Sequence, residues 1–291
     1  MSRAVPHIEA PSPLEESTSQ TELPTFYIPH GGGPCFYMDW PYPTPNPWTG
    51  LAAWLGGLAA SIGRTPRAVL VVSGHWEEDP VAVNVAEHPA LLYDYYGFPE
   101  HTYHLEYPAP GAPPLARAAL ELLCAAGFPV SEERRRGLDH GVFVPFKLVY
   151  PRADVPIVQM SLRSGLDAAA HVAIGEALAP LRRRGVLIVG SGMSFHNLRI
   201  ASIENARIPA SEEFDAWLTQ AACAPTREER TAELVRWARA PAARFAHPRA
   251  EHLLPLMVAA GAAGPDRGTR VFSERMMGWQ ISGFRFGAPA A

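Results

Sequence analysis

The chain has 291 residues, 47% of them hydrophobic, with 25 Lys and Arg against 29 Asp and Glu and a formal net charge of -4. This supplies apolar material for one sizeable core, so a single domain is expected. No basic stripe follows a phosphate backbone and no run approaches the ~20 apolar residues of a membrane span, so neither nucleic acid nor a membrane is expected as a partner.

Residues 1–23 are rich in Pro, Ser, Thr and Glu and lack an apolar run, so they read as a flexible tail and not a signal peptide, with the folded domain over 24–291. Cys35, Cys124 and Cys223 lie far apart and form no C-x-x-C pair. A reducing compartment is expected, hence a cytoplasmic protein.

Short apolar runs at 26–28, 68–73, 81–85, 155–160 and 186–189 predict strands, and the second and last carry the continuous hydrophobicity of strands buried on both faces. Helical periodicity covers 114–126, stopped by Gly127, and recurs over 167–184, 211–223, 227–239 and 251–263. The alternation predicts an α/β fold with a central, mostly parallel or mixed sheet and helices on both faces. The segment 93–114, dense in Tyr, Pro and His, has no period and reads as a functional loop.

Three of the 11 histidines stand in equivalent places. His30 follows the first strand and opens into Gly31-Gly32-Gly33-Pro34. His75 follows the second through Ser73-Gly74, and His196 follows the last through Gly190-Ser191-Gly192. Open α/β sheets bind ligands at the carboxyl ends of their strands, and neutral imidazole is a common ligand for zinc, iron or copper. A metal site there is expected.

His7 in the tail, His88 in a turn and His171 on a helix are read as structural. His140, between Asp139 and Gly141, either caps a turn or lies near a ligand. His247, Glu251 and His252 gather at a helix start, where the spacing does not choose between capping and an inward-facing role. Gly31-Gly32-Gly33 lacks the residues of a phosphate loop, and no G-x-S-x-G elbow surrounds Ser191 or Ser194.

Six stretches in order, Pro29-His30-Gly31-Gly32-Gly33-Pro34, Ser73-Gly74-His75-Trp76-Glu77, Tyr93-Asp94-Tyr95-Tyr96-Gly97-Phe98-Pro99, Leu138-Asp139-His140-Gly141, Gly190 to Asn197 and His247-Pro248-Arg249-Ala250-Glu251-His252, carry a family likeness. The chain resembles the class III extradiol ring-cleavage dioxygenases of the DOPA-4,5-dioxygenase-like branch. The resemblance implies a mononuclear Fe(II), or zinc in isolated protein, that binds a small aromatic diol and O2 side by side. It implies His30, His75 and His252 as metal ligands, His196 as the acid/base, and His140 and His247 as further catalytic residues. Better-known members complete the site with two histidines and a glutamate; here His252 occupies that place with Glu251 beside it.

Tyr93, His101, Arg249 and Ser194 are expected at the substrate, with His104, Arg199 and Arg285 further candidates for a carboxylate. A monomer or small homo-oligomer is expected. Two other readings share these residues: a zinc hydrolase with a metal-activated water, and a non-catalytic relative that keeps the cleft to bind a partner.

Overall fold

A computed structural model describes residues 22–288. The expected tail, His7 included, lies outside the described residues apart from Glu22 and Leu23. The strands are β1 Thr25–Pro29, β2 Ala68–Glu78, β3 Val81–Asn84, β4 Val130–Glu133, β5 Ile157–Arg163, β6 Val186–Gly192, β7 Gly268–Met276 and β8 Trp279–Phe286. They form one sheet in the order β4-β3-β5-β2-β6-β1-β8-β7. Its centre, β5-β2-β6-β1, is parallel, while β3 and β8 join antiparallel at either side. The expected mixed α/β sheet is present.

The helices are α1 Thr49–Ile62, α2 Pro113–Ala125, α3 His140–Val149, α4 Ala168–Leu178, α5 Pro209–Ala222, α6 Arg227–Val235, α7 Ala243–Ala246 and α8 Leu254–Ala262. Adjacent residues of β6 show how they divide between the faces. A Cβ on Gly190 would strike Pro255 of α8, whereas the Ser191 hydroxyl donates to the Gly141 carbonyl of α3. Successive strand residues point to opposite faces, so α8 and α3 cover opposite sides of the sheet.

Several elements differ from expectation for local reasons. α1 contains Gly56 and Gly57, which blur its apolar period in the sequence, and α3 carries Val142, Val144 and Pro145 in a run that reads as strand or turn. The hairpin of β7 and β8 alternates with too many charges to be seen as strands. The helix expected over 251–263 begins only at Leu254, which leaves Glu251 and His252 in the preceding turn.

Two departures shape the site. β2 runs on to Glu78, and its pairing with β5 shifts register between Val72 and Glu77, so His75 sits in an irregular stretch that turns its side chain out of the regular pleat. The glycines near the strand ends admit a neighbouring segment directly. A Cβ on Gly74 would lie 3.2 Å from His252 Cα, and one on Gly192 would collide with the His252 carbonyl oxygen. That carbonyl accepts hydrogen bonds from Tyr27 Oη at 2.7 Å and from the Met193 amide at 3.1 Å.

Gly192→Ala therefore forces the His252 turn off the sheet. It is expected to lower unfolding free energy by about 1–3 kcal/mol, the cost of overpacking a filled site, read from urea denaturation. Unchanged stability would contradict this packing.

Candidate active site

His30 leaves the end of β1, where its amide donates to the Gly192 carbonyl at 3.1 Å. His75 comes from the irregular end of β2, and His252 from the turn before α8. Their Nε2 atoms converge: His75 lies 3.1 Å from His30 and 3.2 Å from His252, with all three within 4.8 Å of one another. His30 and His252 are buried and His75 is half-buried.

The other nitrogen of each ring faces a polar group. Ser191 donates its hydroxyl proton to Gly141, so it accepts one from His30 Nδ1 at 3.2 Å. His252 Nδ1 donates to Glu251 Oε1 at 2.9 Å, and His75 Nδ1 lies 3.8 Å from Asp94 Oδ2. These partners place the Nδ1 proton on His30 and His252, and leave their Nε2 lone pairs pointing into the shared space.

Lone pairs facing each other at this range repel unless a cation lies between them. Two nitrogens about 2.0–2.1 Å from one ion are about 2.8–3.0 Å apart at octahedral angles and about 3.3–3.4 Å apart at tetrahedral ones, so the observed spacing of 3.1 and 3.2 Å suits a first-row divalent metal. Burial, reinforced by the neighbouring imidazoles, holds His30 and His75 well below the usual histidine range, and burial takes His252 down to about 4. The donor set is therefore neutral near pH 7 and fits a metal ion.

Two histidine–carboxylate pairs flank the three rings. His196 stacks on His252 with ring centroids 3.4 Å apart, and its Nδ1 lies 3.4 Å from Glu251 Oε1. Glu251 thus faces His252, His196 and, at 3.5 Å, Arg249. Burial pushes its carboxyl up, but hydrogen bonds from His196 and His252 outweigh this and hold it well below the carboxylate range. On the other flank Asp94 Oδ1 accepts from both the amide and Nδ1 of His140, at 2.9 and 2.8 Å. The His140 ring centroid lies 4.0 Å from that of His75.

All five histidines line one cavity of about 930 Å3 whose walls include Trp48, Phe98, Met193 and Trp279. Its volume suits a small aromatic ligand with a substituent.

Residues 24–284 match the family of the catalytic LigB subunit of aromatic ring-opening dioxygenases. The chain belongs to this family. It is an aromatic ring-opening dioxygenase.

Among its relatives, 4,5-DOPA dioxygenase extradiol of Beta vulgaris is 40% identical over 83% of this chain and 87% of its own length. Dioxygenase tasH of Hapsidospora irregularis is 36% identical over 93% of this chain and 87% of its own. A solved but uncharacterised Escherichia coli K12 protein superposes with a TM-score of 0.71 at 29% identity, over 91% of this chain and 100% of that one.

Several residues expected at the dioxygenase's substrate do not line the cavity. Arg249 grips Glu77, with one contact at 2.6 Å, and Tyr93 Oη donates to the Leu105 carbonyl at 2.6 Å. His101 Nε2 is bound to the Tyr37 carbonyl at 3.0 Å, and Ser194 Oγ accepts from the Ser282 amide at 2.8 Å. His247 is fully buried between Phe214 and Trp237, donates Nε2–H to the Ser194 carbonyl at 2.9 Å, and lies behind the site. His171 accepts from the Arg163 amide at 3.1 Å and is structural.

Two functional residues are not legible as such in the sequence: Asp94 stands among the tyrosines of 93–99 with nothing to mark it as the partner of His140, and Ser191 reads as a small residue at a strand end, not as the acceptor that orients His30.

Glu251→Gln in the dioxygenase keeps an acceptor for His252 but removes the charge that strengthens it. Divalent metal affinity, measured by competitive titration, is expected to fall about 10–100-fold with the circular dichroism spectrum retained. An unchanged affinity would show that Glu251 does not support His252.

Acid sensitivity follows from His247, which burial lowers from the ordinary 6.5 to about 3. A lowered folded value means that the unfolded chain takes up the proton first, so this contribution is present above pH 6.5 and is lost as pH falls towards 3. Replacing His247 with Phe should flatten the decline of metal-free unfolding free energy across that window; a decline as steep as in the unsubstituted protein would contradict the assignment.

Proposed function

We propose that the protein performs extradiol cleavage of a catecholic ring, inserting both atoms of O2, with a mononuclear Fe(II) held by His30, His75 and His252. The observation that carries this reading is the convergence of three Nε2 lone pairs at a cavity wall that also bears His196 and His140, in a chain of this family. Bound there, Fe(II) would supply a Lewis-acidic template for adjacent hydroxyls and one-electron exchange with O2.

The chain's own groups do the rest. Glu251 holds His196 through Nδ1, which leaves Nε2 free to take a proton from a substrate hydroxyl and return it later to the opening ring. Asp94 holds His140 in the same manner on the opposite flank, where it serves as a hydrogen-bond donor beside the reacting ring. The Trp48, Phe98 and Trp279 walls stack against the substrate and exclude water. Tyr93, His101, Arg249 and Ser194, all engaged elsewhere, act by supporting these walls and turns, and His247 braces the segment that leads to His252.

Protein loaded anaerobically with Fe(II) is then mixed with air-saturated catechols, DOPA among them because several relatives bear its name. Stoichiometric oxygen uptake with a yellow ring-fission product is the expected result, and His196→Ala should lower kcat about 10²–10⁴-fold with metal retained. Zinc-loaded protein should consume no oxygen. Absence of oxygen uptake with every diol overturns the reading, and hydrolytic turnover by the zinc form would favour a hydrolase on the same three histidines.

A further inference from the structure

The two carboxylates that flank the three-histidine cradle are placed alike but engaged differently. Glu251 is closed to a further cation, because it faces His252 and His196 and Arg249 lies 3.5 Å from its Oε2. No arginine or lysine among the described residues pairs with Asp94. Its Oδ1 accepts from the amide and Nδ1 of His140, at 2.9 and 2.8 Å, while its Oδ2 has only His75 Nδ1 nearby, at 3.8 Å. Arg136, on the same flank, is spent on the His75 carbonyl at 3.0 Å and on Asp139 at 3.1 Å.

His75 is likewise the odd member of the cradle. The Nδ1 atoms of His30 and His252 have oxygens within hydrogen-bond range, at 3.2 and 2.9 Å, whereas that of His75 has none among the described residues. Its Nε2 is committed to the cradle, so its outer nitrogen is left to find a ligand.

His75 from β2, Asp94 from the loop after β3 and His140 from the start of α3 offer ligand atoms all within 4.8 Å of one another. The 2.8 Å between His140 Nδ1 and Asp94 Oδ1 is that of neighbouring ligands on one first-row ion, and the 3.8 Å to His75 lies between neighbouring and opposed positions, about 3 and 4 Å apart. The side chains of Asp94 and His75 are 19% and 21% exposed and all three residues line the cavity, so an ion reaches them from solvent.

We infer that His75, Asp94 and His140 form a second divalent-metal site, for a borderline ion such as zinc or copper(II), joined to the first through the imidazole of His75. It rests on the cradle as a metal site and not on the reaction assigned to it. Two nitrogens and one carboxylate oxygen are donors that such ions accept, whereas magnesium and calcium favour oxygen alone. His75 releases its Nδ1 proton to solvent and bridges the two ions as imidazolate; that charge and Asp94 offset the repulsion between them. His140, bound through Nδ1, carries its ring proton on Nε2.

The metal-free protein is titrated with zinc against a competing chelator, and bound metal is counted after equilibrium dialysis. Two equivalents are expected, the second at least about tenfold weaker than the first because it enters beside a bound cation. Asp94→Asn and His140→Ala should each retain the first equivalent, which reports a folded cradle, and weaken the second about tenfold or more. With copper(II) in both sites, exchange through the bridge should diminish the electron paramagnetic resonance signal, and Asp94→Asn should restore that of one isolated copper.

A single equivalent in the unsubstituted protein overturns the inference. So does a second equivalent held equally well by either variant, which would place it elsewhere on the surface. Two coppers with full, separate signals overturn the bridge. If no zinc binds at all, the three-histidine cradle fails with it.

Discussion

The constraint on which the rest of the structure depends is the mutual approach of three imidazole nitrogens. His30, His75 and His252 are drawn to 3.1–3.2 Å across separations of 45 and 177 residues, with lone pairs facing one another. Such a cluster is unfavourable as neutral rings and worse as cations, so its geometry makes sense as a cradle for a positive ion. Everything that touches the outer edges of these rings serves to hold that arrangement. Ser191 and Glu251 each accept a hydrogen bond from an Nδ1–H, and the sheet supplies the rigid frame from which His30 and His75 project.

Frame and cradle are joined through close packing of backbone on backbone. The last turn before α8 lies directly on Gly74 of β2 and Gly192 of β6, and its carbonyl at His252 is tied to Tyr27 and Met193. Small residues at the strand ends are therefore first a packing requirement. The resemblance of three strand-to-histidine junctions arises because β1, β2 and β6 are neighbours with parallel direction, so their carboxyl ends emerge together.

This explains which parts were legible in the sequence. Apolar runs marked the parallel centre of the sheet, and the small residues before His30, His75 and His196 marked its active edge. His252 is less legible, because the choice between it and Glu251 turns on one residue in a turn that periodicity assigns to a helix. Backbone spacing cannot say that Glu251 faces its own neighbour's ring, since that depends on the tertiary placement of His196 and Arg249. The partners of Arg249, Tyr93 and His101 were equally hidden. Each side chain is polar enough for a substrate, and each is consumed by a contact to a segment distant in sequence or across a loop. α1 and α3 are not legible as helices because glycines in one and β-branched residues in the other obscure a helical period that packing restores.

Glu251 also gives the site its coupling. One carboxylate accepts from the Nδ1 of a ring in the metal cradle and lies 3.4 Å from the Nδ1 of the ring stacked upon it. The charge that strengthens His252 as a donor also fixes the ring of His196, so the placement of the two rings is linked through one group. Arg249 neutralises part of the charge while anchoring the turn to Glu77 of β2. An arginine that seemed suited to substrate thus sets the position and field of the carboxylate behind the site, and the cavity in front is left to aromatic walls and aspartate.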